Sequence, residues 1–250
     1  ESTRIGTLPS DGVCKDGRIE ISTPCDPEKT LVLVGCDPAV ALLAARIGAL
    51  SGFRVIPLAY SSQRAIELLK QGLVHVAGVH LHGQAGQDEN FAAARTVLGE
   101  KFRLLRIARW DEGVALDPLL KLGSIKSALT SNLRWIGREK GSGARRCFDH
   151  VLGHRRRPEG YQYHAGDHQA VTEAILAGWA QAGVCVRLPA EERGLQFLKV
   201  REENYDLCFL AEEEGDPRIQ VLLEAIRSIS YKNDLQQLPG YHTGNTGELQ

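Results

Sequence analysis

The chain has 250 residues, 43% of them hydrophobic, and its 30 basic side chains nearly balance its 31 acidic ones, for a formal net charge of −1. This length suits one large domain or two lobes of roughly 120 residues each, with an ordinary apolar core in every lobe. The near-neutral charge argues against a nucleic-acid footprint across the whole surface, and no apolar run approaches the ~18 residues that span a bilayer.

The first 29 residues carry Gly, Pro, Asp and Ser at short intervals, with one predicted strand at residues 18–22. Residues 1–29 are therefore predicted to form an N-terminal arm or a linker. The segment Glu1-Ser2-Thr3 is polar and starts no signal-peptide pattern, but a cleaved signal would leave no trace, so this absence does not fix the compartment. A ligand sensor of a regulator is expected in the cytoplasm and a free solute receptor in the periplasm.

From Thr30 onward, strands and helices alternate at short spacing. The apolar run Thr30–Gly35 is bounded by turn residues, which is typical of a strand buried on both faces. Asp37-Pro38 then supplies an N-cap and a first helical residue. This alternation predicts a parallel sheet with helices on its faces. The next predicted elements are a helix at 39–50, ended by Gly52, a strand at 53–58, a helix at 63–71, a strand at 73–79, a helix near 91–98 and a strand at 102–108.

The alternation restarts after Trp110, which predicts a second α/β unit. The chain passes between the units near residues 109–113 and again near 201–205, so we expect two lobes joined by a double hinge. Lobe 1 comprises residues 30–110 plus 203–250, and lobe 2 comprises residues 111–202. The elements predicted in this part are strands at 113–116, 134–137, 182–187, 197–200 and 206–210, and helices at 124–131, 142–152, 167–177 and 217–229.

One strand end carries most of the candidate chemistry. In parallel α/β sheets, ligands bind beyond the carboxyl ends of the strands, where the next helices present free N–H groups. Gly141 and Gly143 allow close backbone approach, Ser142 offers a hydroxyl, and Arg138 and Lys140 are fixed cations just upstream. The segment predicts an oxyanion cradle. A plain capped helix with solvated basic residues is the alternative, and no Gly-Lys-Ser/Thr makes it a Walker motif.

Weaker candidates stand at the other strand ends. Ser61 and Ser62 precede a helix and are either caps or ligand donors. Asp37 is predicted to be a helix N-cap first and a ligand contact second, because its carboxylate would repel a bound anion unless it faced the helix amides. Asp167 and His168 open a helix, so their side chains are expected to reach the same crevice.

His80 and His82 alternate at a strand end, a spacing that suits a metal ion, but no third or fourth ligand stands at a fixed distance. We therefore expect no metal there and keep His80 as a candidate ligand contact. The six cysteines form no Cys-x-x-Cys pair and mostly lie in apolar stretches, which favours buried thiols in a reducing compartment. A disulfide between Cys14 and Cys25 is the alternative. The sequence shows no nucleophile–base spacing, so no enzyme activity is expected.

Six motifs together resemble a known family, the periplasmic-binding-protein-like (type 2) effector domain of bacterial helix-turn-helix transcriptional regulators. The similarity covers residues 30–250 and keeps the motif order. The motifs are residues 34–39 (VGCDPA), 65–72 (AIELLKQG), 76–81 (VAGVHL), 138–145 (REKGSGAR), 167–171 (DHQAV) and 240–244 (GYHTG).

The resemblance implies a two-lobed domain that follows a helix-turn-helix or a molybdopterin-biosynthesis domain. It is also similar to molybdate- and tungstate-binding solute receptors, in which an Arg-x-x-x-Ser-Gly segment and a capped helix after the second strand hold the oxyanion. By this resemblance the ligand contacts are Arg138, Ser142 and Gly143 from one lobe and Ser61 and Ser62 from the other. One departure concerns the ligand, since Cys36-Asp37 stands where the tungstate receptors place hydroxyl residues.

The function expected from these features is that of a ligand sensor. It would bind a small anion, with molybdate and tungstate as the candidates, would need no cofactor, and would contact DNA only through an attached N-terminal domain. A homodimer is possible. The alternatives are a solute-binding protein of an oxyanion ABC transporter and an enzyme on the same fold.

Overall fold

The structure is a computed structural model that describes residues 12–15, 18–21, 26–81 and 89–250. Strands β1 (Gly12–Lys15) and β2 (Arg18–Ile21) pair antiparallel as a separate two-stranded sheet. The strand predicted at 18–22 is therefore confirmed over its described part. The predicted Cys14–Cys25 alternative involves Cys25, which lies outside the described residues, whereas Cys36, Cys147, Cys185 and Cys208 are buried free thiols.

The remaining elements alternate as the sequence predicts. In chain order they are β3 (Thr30–Gly35), α1 (Val40–Ser51), β4 (Arg54–Ala59), α2 (Ser62–Lys70), β5 (Val76–Val79), α3 (Glu89–Leu98), β6 (Phe102–Leu116), α4 (Ile125–Thr130), β7 (Trp135–Arg138), α5 (Gly143–Leu152), β8 (His164–Ala165), α6 (His168–Leu176), β9 (Ala182–Val186), α7 (Arg187–Glu192), β10 (Gln196–Leu210), α8 (Pro217–Arg227), α9 (Ile229–Gln236) and β11 (Tyr241–His242).

All strands from β3 onward join one curled mixed sheet with the order β4-β3-β5-β10-β6-β9-β7-β8, and β11 pairs with β6. The strands are parallel at both ends of the sheet, where β3 pairs with β4 and β5, and β7 pairs with β8 and β9. The two long middle strands, β6 and β10, are antiparallel to each other. This arrangement confirms a two-lobed α/β fold of the type 2 periplasmic-binding-protein class.

The sequence prediction was wrong about the continuity of the two middle strands. Strands predicted at 102–108 and 113–116 are the single strand β6, and those predicted at 197–200 and 206–210 are the single strand β10. Both strands stay extended because each satisfies the other's backbone groups along nearly its whole length, with two irregularities in register. Gly113 permits the pairing, since an added Cβ would lie 2.2 Å from the Leu198 carbonyl oxygen.

The predicted helix at 217–229 is two helices. Ser228 has extended backbone angles; its hydroxyl donates to the Ala225 carbonyl at the end of α8 and accepts from the Tyr231 N–H at the start of α9. A single serine thus ends one helix and caps the next. Helix α7 was also missed, because its sequence is short and contains Pro189.

Apolar side chains form separate cores on the two sides of the middle strands. On one side, apolar residues from 31–110 and 205–249 pack together. Val186 and Leu188 join this core, although the predicted boundaries place both residues in lobe 2. Residues 114–200 supply the core on the other side, where the Trp135 and Phe148 rings stack with centroids 5.0 Å apart. The exact lobe boundaries stay a prediction. Within the described part of the chain, no helix has the length and apolar character that a membrane crossing requires.

Candidate ligand-binding site

The ends of strands from the two lobes meet at one place. The Arg138 guanidinium, at the end of β7, lies 3.2 Å from the ring of His168, which opens α6. The rings of His168 and His80 have centroids 5.4 Å apart. A Cβ added to Gly143 would lie 2.3 Å from the His80 carbonyl oxygen, so this glycine lets the start of α5 approach the other lobe. The structure therefore brings four of the predicted site residues together.

Arg138 is fully buried and only partly hydrogen-bonded. Its Nη1 contacts His168 Nδ1 at 3.2 Å and the Val184 carbonyl oxygen at 3.5 Å. Its Nε and Nη2 have no hydrogen-bond partner among the described residues. A buried charged donor without an acceptor is destabilising, so this guanidinium calls for an acceptor that the described residues do not provide.

The hydrogen bonds of His168 fix which nitrogen carries its proton. Nδ1 faces two groups that always donate, the Val186 N–H at 3.3 Å and the Arg138 Nη1 at 3.2 Å, so it must accept. Burial lowers the pKa of His168 well below its ordinary value, and the charges of Arg138 and His80 lower it further, so the ring is neutral. The proton then sits on Nε2, which has no partner among the described residues.

Trp110 completes a group of unpartnered donors. Its indole stacks on Tyr205 at 4.5 Å, and its edge contacts with His80 and His168 have centroid distances of 5.0 and 5.8 Å. Its Nε1 also lacks a partner in the described part of the chain. We call Trp110, Arg138 and His168 the donor cluster. The sequence analysis missed Trp110 as a site residue, because nothing in the sequence shows which way a strand tryptophan points.

A second buried polar group lies on the middle strands, and we call Glu112, Arg201 and Glu203 the hinge cluster. Arg201 Nη2 lies 2.8 Å from Glu112 Oε2 and also contacts Glu203. Burial and the charge of Glu203 raise the pKa of Glu112 to about 8, although Arg201 lowers it. Burial would raise the pKa of Glu203, but the hydrogen bond and charge of His80 and the charge of Arg201 lower it to about 2.

The hinge cluster is satisfied internally. Glu112 Oε1 has no hydrogen-bond partner of ordinary geometry among the described residues, whereas Glu203 Oε1 is paired with Arg201. The two carboxyl groups also hydrogen-bond to each other. A protonated Glu112 donating to an ionised Glu203 accounts for both oxygens. Sequence reasoning missed this cluster because its members lie on two strands far apart in the chain.

His80 links the hinge cluster to the strand ends. Its Nδ1 lies 3.0 Å from Glu203 Oε2, and its Nε2 lies 3.0 Å from the Cys36 sulfur. Burial alone would lower the pKa of His80, but Cys36 and Glu203 together raise it well above its ordinary value. The ring therefore carries both protons and donates to both neighbours.

A cavity of about 150 Å³ is lined by His168 of the donor cluster and by Cys36, the neighbour of His80. Its polar lining comes from Cys36 and Asp37 of one lobe and from Asp167, His168 and Gln169 of the other. Its remaining lining is mostly apolar: Leu33, Pro38, Val40, Pro57, Leu58 and Ala59.

The prediction that Asp37 is the N-cap was wrong, because α1 begins at Val40 with Ala39 as its N-cap, and the Asp37 carboxylate on this cavity closes the turn just before the helix. It accepts from the Ala39 N–H at 2.9 Å and from the Tyr241 hydroxyl at 2.5 Å. Burial raises the pKa of Asp37 to about 6, against the lowering effect of these hydrogen bonds. Asp37 is thus mostly ionised at neutral pH and takes up a proton as the pH falls through about 6, so its repulsion of an anion weakens only under mildly acidic conditions.

Three other predicted site residues, Ser62, Ser142 and Asp167, form hydrogen bonds to nearby backbone groups. The Ser62 hydroxyl accepts from the His80 N–H at 3.1 Å and donates to the His80 carbonyl at 3.3 Å. The Ser142 hydroxyl donates to Glu139 O at 2.8 Å and accepts from Arg145 N. Asp167 caps α6 through Ala170 N. Ser61 makes no capping hydrogen bond, so its hydroxyl is the better candidate donor of the two adjacent serines.

The ligand atoms of Cys36, His80 and His168 lie within 4.8 Å of one another, which is close enough to hold a metal ion. Their hydrogen bonds oppose that use. Both His80 nitrogens are engaged, and His168 Nε2 carries its proton because Nδ1 accepts from Arg138. The arrangement favours an anion over a cation. His82, the second histidine of the predicted strand end, lies outside the described residues.

Comparison with known proteins agrees with this fold. A model of the PBP superfamily domain matches residues 45–227. The uncharacterized protein YvgK of Bacillus subtilis (strain 168) is 28% identical over 186 residues, which are 72% of this chain and 60% of that protein. The chain thus spans less than two thirds of this relative's length.

Solved structures of both receptors and regulators share the architecture. A putative phosphate ABC transporter substrate-binding protein from Clostridium perfringens, with bound phosphate, has a TM-score of 0.63 at 11% identity, covering 85% of this chain and 99% of that one. The CcmR regulatory domain of Synechocystis PCC6803, in complex with 2-PG, has a TM-score of 0.59 at 17% identity, covering 84% and 99%. At these identities the likeness shows the fold alone.

Proposed function

This chain belongs to the PBP superfamily, and on that premise we propose that it binds a small anion in the cleft between its two lobes. The donor cluster carries the proposal, because three buried residues offer hydrogen atoms there that no described residue accepts. An oxyanion supplies several acceptor oxygens and a compensating negative charge. The two structural neighbours described above contain phosphate and 2-PG, which supports an anionic ligand.

Arg138 is the principal cation in this proposal. Two of its nitrogens have no acceptor in the part of the chain that the structure describes. Contacts with His168 hold it, and Arg145 Nη1 donates to the Arg138 carbonyl oxygen at 2.8 Å. The N-termini of α5 and α6 add partial positive charge from helices of 10 and 9 residues. Ser61 is a donor from lobe 1, whereas Ser62, Ser142 and Asp167 position the backbone.

Binding would act through the lobes. A ligand that contacts both lobes favours the closed arrangement by its differential affinity, and the middle strands carry the movement. In a regulator this shift would pass to an attached DNA-binding domain, which the resemblance of the six motifs supports. A solute receptor of an ABC transporter would use the same closure to deliver its ligand, and the fold match to the Clostridium perfringens protein supports that alternative equally.

The test begins with a thermal-shift screen of molybdate, tungstate, phosphate and small carboxylic acids. A ligand at 100 times its Kd should stabilise the protein by about 2.7 kcal/mol. Calorimetric titration with the strongest probe then compares variants. Arg138→Ala should weaken binding roughly 10- to 100-fold, because a charge-assisted hydrogen bond contributes about 1.5–3 kcal/mol.

Two further variants control this experiment. Arg138→Lys should restore only part of the affinity, since a point charge cannot reproduce the guanidinium fork. Arg156→Ala, an exposed arginine on a loop of lobe 2, should change little. Unchanged affinity in a folded Arg138→Ala protein would place the ligand elsewhere. A helix-turn-helix encoded upstream of Glu1 would favour the sensor, and an export signal there would favour the receptor.

A further inference from the structure

Cys36 differs from the other described cysteines in its surroundings. It follows β3 directly, lines the cavity of about 150 Å³, and lies 3.0 Å from His80 Nε2. Cys147, Cys185 and Cys208 are fully buried in the apolar cores. Burial raises the pKa of Cys185 and of Cys208 to about 12 and raises that of Cys147 further still.

The contacts of Cys36 continue through His80 to a carboxylate. Glu203 Oε2 lies 3.0 Å from His80 Nδ1, and the opposite ring nitrogen faces the sulfur. A thiol beside a histidine that a carboxylate orients is the arrangement that activates nucleophilic cysteines. Since His80 carries both protons, its Nε2–H donates to the Cys36 sulfur, which places a proton donor directly beside the sulfur and a carboxylate behind the ring.

A second observation indicates that a ligand reaches this sulfur. His168 is fully buried, lines the same cavity as Cys36, and has an unpartnered Nε2–H within the described part of the chain. One ring nitrogen of His168 and the Cys36 sulfur belong to a group of atoms that lie within 4.8 Å of one another, so the ring stands beside the sulfur. A small molecule whose anionic group binds the donor cluster would thus hold its neighbouring carbon near the sulfur.

We propose that Cys36 is a nucleophilic thiolate that forms a covalent bond with small anionic electrophiles bound at the donor cluster. The preference for anions rests on the proposed function, whereas the reactivity of the sulfur rests on its own contacts with His80 and Glu203. An α,β-unsaturated carboxylate is the ligand class that fits both, because it combines an anionic group with an electrophilic carbon.

The reaction with such a ligand needs no other reactant. The Cys36 sulfur attacks the β-carbon and a C–S bond forms, while the electron pair of the C=C bond moves toward the α-carbon. That carbon takes the proton from His80 Nε2, which leaves a neutral imidazole still held by Glu203. Nothing is oxidised or reduced, and the product is a thioether.

Two alkylating probes of nearly equal shape test the proposal. Iodoacetate is anionic and iodoacetamide is neutral, and with either one the sulfur displaces iodide from carbon. The experiment uses the full chain with Cys14→Ser and Cys25→Ser, and peptide mapping by mass spectrometry follows each thiol. Cys36 should be alkylated at least ~10 times faster than Cys147, Cys185 and Cys208, because the thiolate fraction and access set the rate. Cys36→Ser should remove the fast phase.

The ratio of the two rates reports on the donor cluster. The ratio of iodoacetate to iodoacetamide at Cys36 should exceed the ratio measured for the same thiol in the denatured chain. Arg138→Ala should lower this ratio, and Arg156→Ala should not. Glu203→Gln and His80→Gln should slow alkylation of Cys36 by both probes, with folding checked by circular dichroism. If either variant fails to fold, the ratio of the iodoacetate rate to the iodoacetamide rate in the chain that retains His80 and Glu203 still tests the proposal.

Two outcomes overturn the proposal in different ways. If Cys36 reacts no faster than the three core thiols, the sulfur is not a nucleophile, and the titration of Arg138 variants still decides the proposed function. If Cys36 reacts fast but its ratio of iodoacetate to iodoacetamide rates does not exceed that of the denatured chain, the donor cluster does not attract the anionic probe. That outcome also counts against the donor cluster as an anion site.

Discussion

The donor cluster and the hinge cluster are both buried and charged, but they differ in how their hydrogen bonds are satisfied. In the hinge cluster, Arg201 faces two carboxyl groups and these share a proton. In the donor cluster, Arg138 has two nitrogens without an acceptor among the described residues. A buried arginine thus has a structural role where its partners are present and indicates a binding site where they are missing.

The largest expected change in the free energy of unfolding follows from replacing Arg201, the arginine whose carboxylate partners are present. Arg201→Met removes the cation between Glu112 and Glu203 and leaves the buried Glu203 carboxylate with His80 as its remaining charged partner. The free energy of unfolding should fall by about 3–5 kcal/mol, measured by urea unfolding. Arg109→Met, which removes an exposed pair with Glu202, is the control and should cost no more than ~1 kcal/mol. A loss at Arg201 as small as the control would end the distinction between the clusters.

The matched substitution in the donor cluster should have the opposite sign. Arg138→Met keeps much of the side-chain volume but removes the buried donors that lack acceptors. Without ligand, the free energy of unfolding should stay the same or rise by about 1–3 kcal/mol. The same urea titrations measure it, and a fall comparable to that of Arg201→Met would mean that Arg138 is a structural residue.

The shared proton predicts a pH dependence. The pKa of Glu112 is about 8 in the folded chain against an ordinary 4.5, so its protonated form stabilises the fold fully below 4.5. That stabilisation is lost as the pH rises through 8, at up to ~1.4 kcal/mol per pH unit from this group. Glu112→Gln should flatten the decline in unfolding free energy between about pH 5 and pH 8. Glu192→Gln, at an exposed position, is the control and should leave the pH dependence of the unfolding free energy as in the parent chain. If Glu112→Gln also leaves it unchanged, Glu112 does not carry the shared proton.

The smallest effect concerns the indole. Trp110→Phe keeps the ring contacts with Tyr205 and His80 but removes the unpartnered Nε1–H. Ligand affinity should fall by roughly 2- to 10-fold, as for one neutral hydrogen bond of about 0.5–1.5 kcal/mol. Calorimetry with the probe chosen in the screen measures this. Equal affinity in the variant would limit the donor cluster to Arg138 and His168.

The sequence predicted features that depend on local pattern. The alternation of strands and helices predicted the α/β lobes, and the Gly-Ser-Gly segment predicted the start of α5 beside Arg138. The unbroken middle strands were not predictable, because the pairing of Phe102 with Leu210 is set by tertiary structure and not by the residues around either one. Hydroxyl roles were equally hidden: Ser62 binds the His80 backbone through a contact that no spacing indicates.

The path of the chain through the two middle strands has a consequence for folding during synthesis. The core on one side of the middle strands is built from one contiguous stretch, residues 114–200, so it can form as soon as that stretch has emerged. The first lobe must wait, because β10 pairs with β5 and helices α8 and α9 complete its core. Its long-range pairings are of the slow-forming kind. A chain that has emerged only as far as Val200 would therefore hold one packed core and leave the other with an exposed apolar face, which is where chaperones are expected to bind.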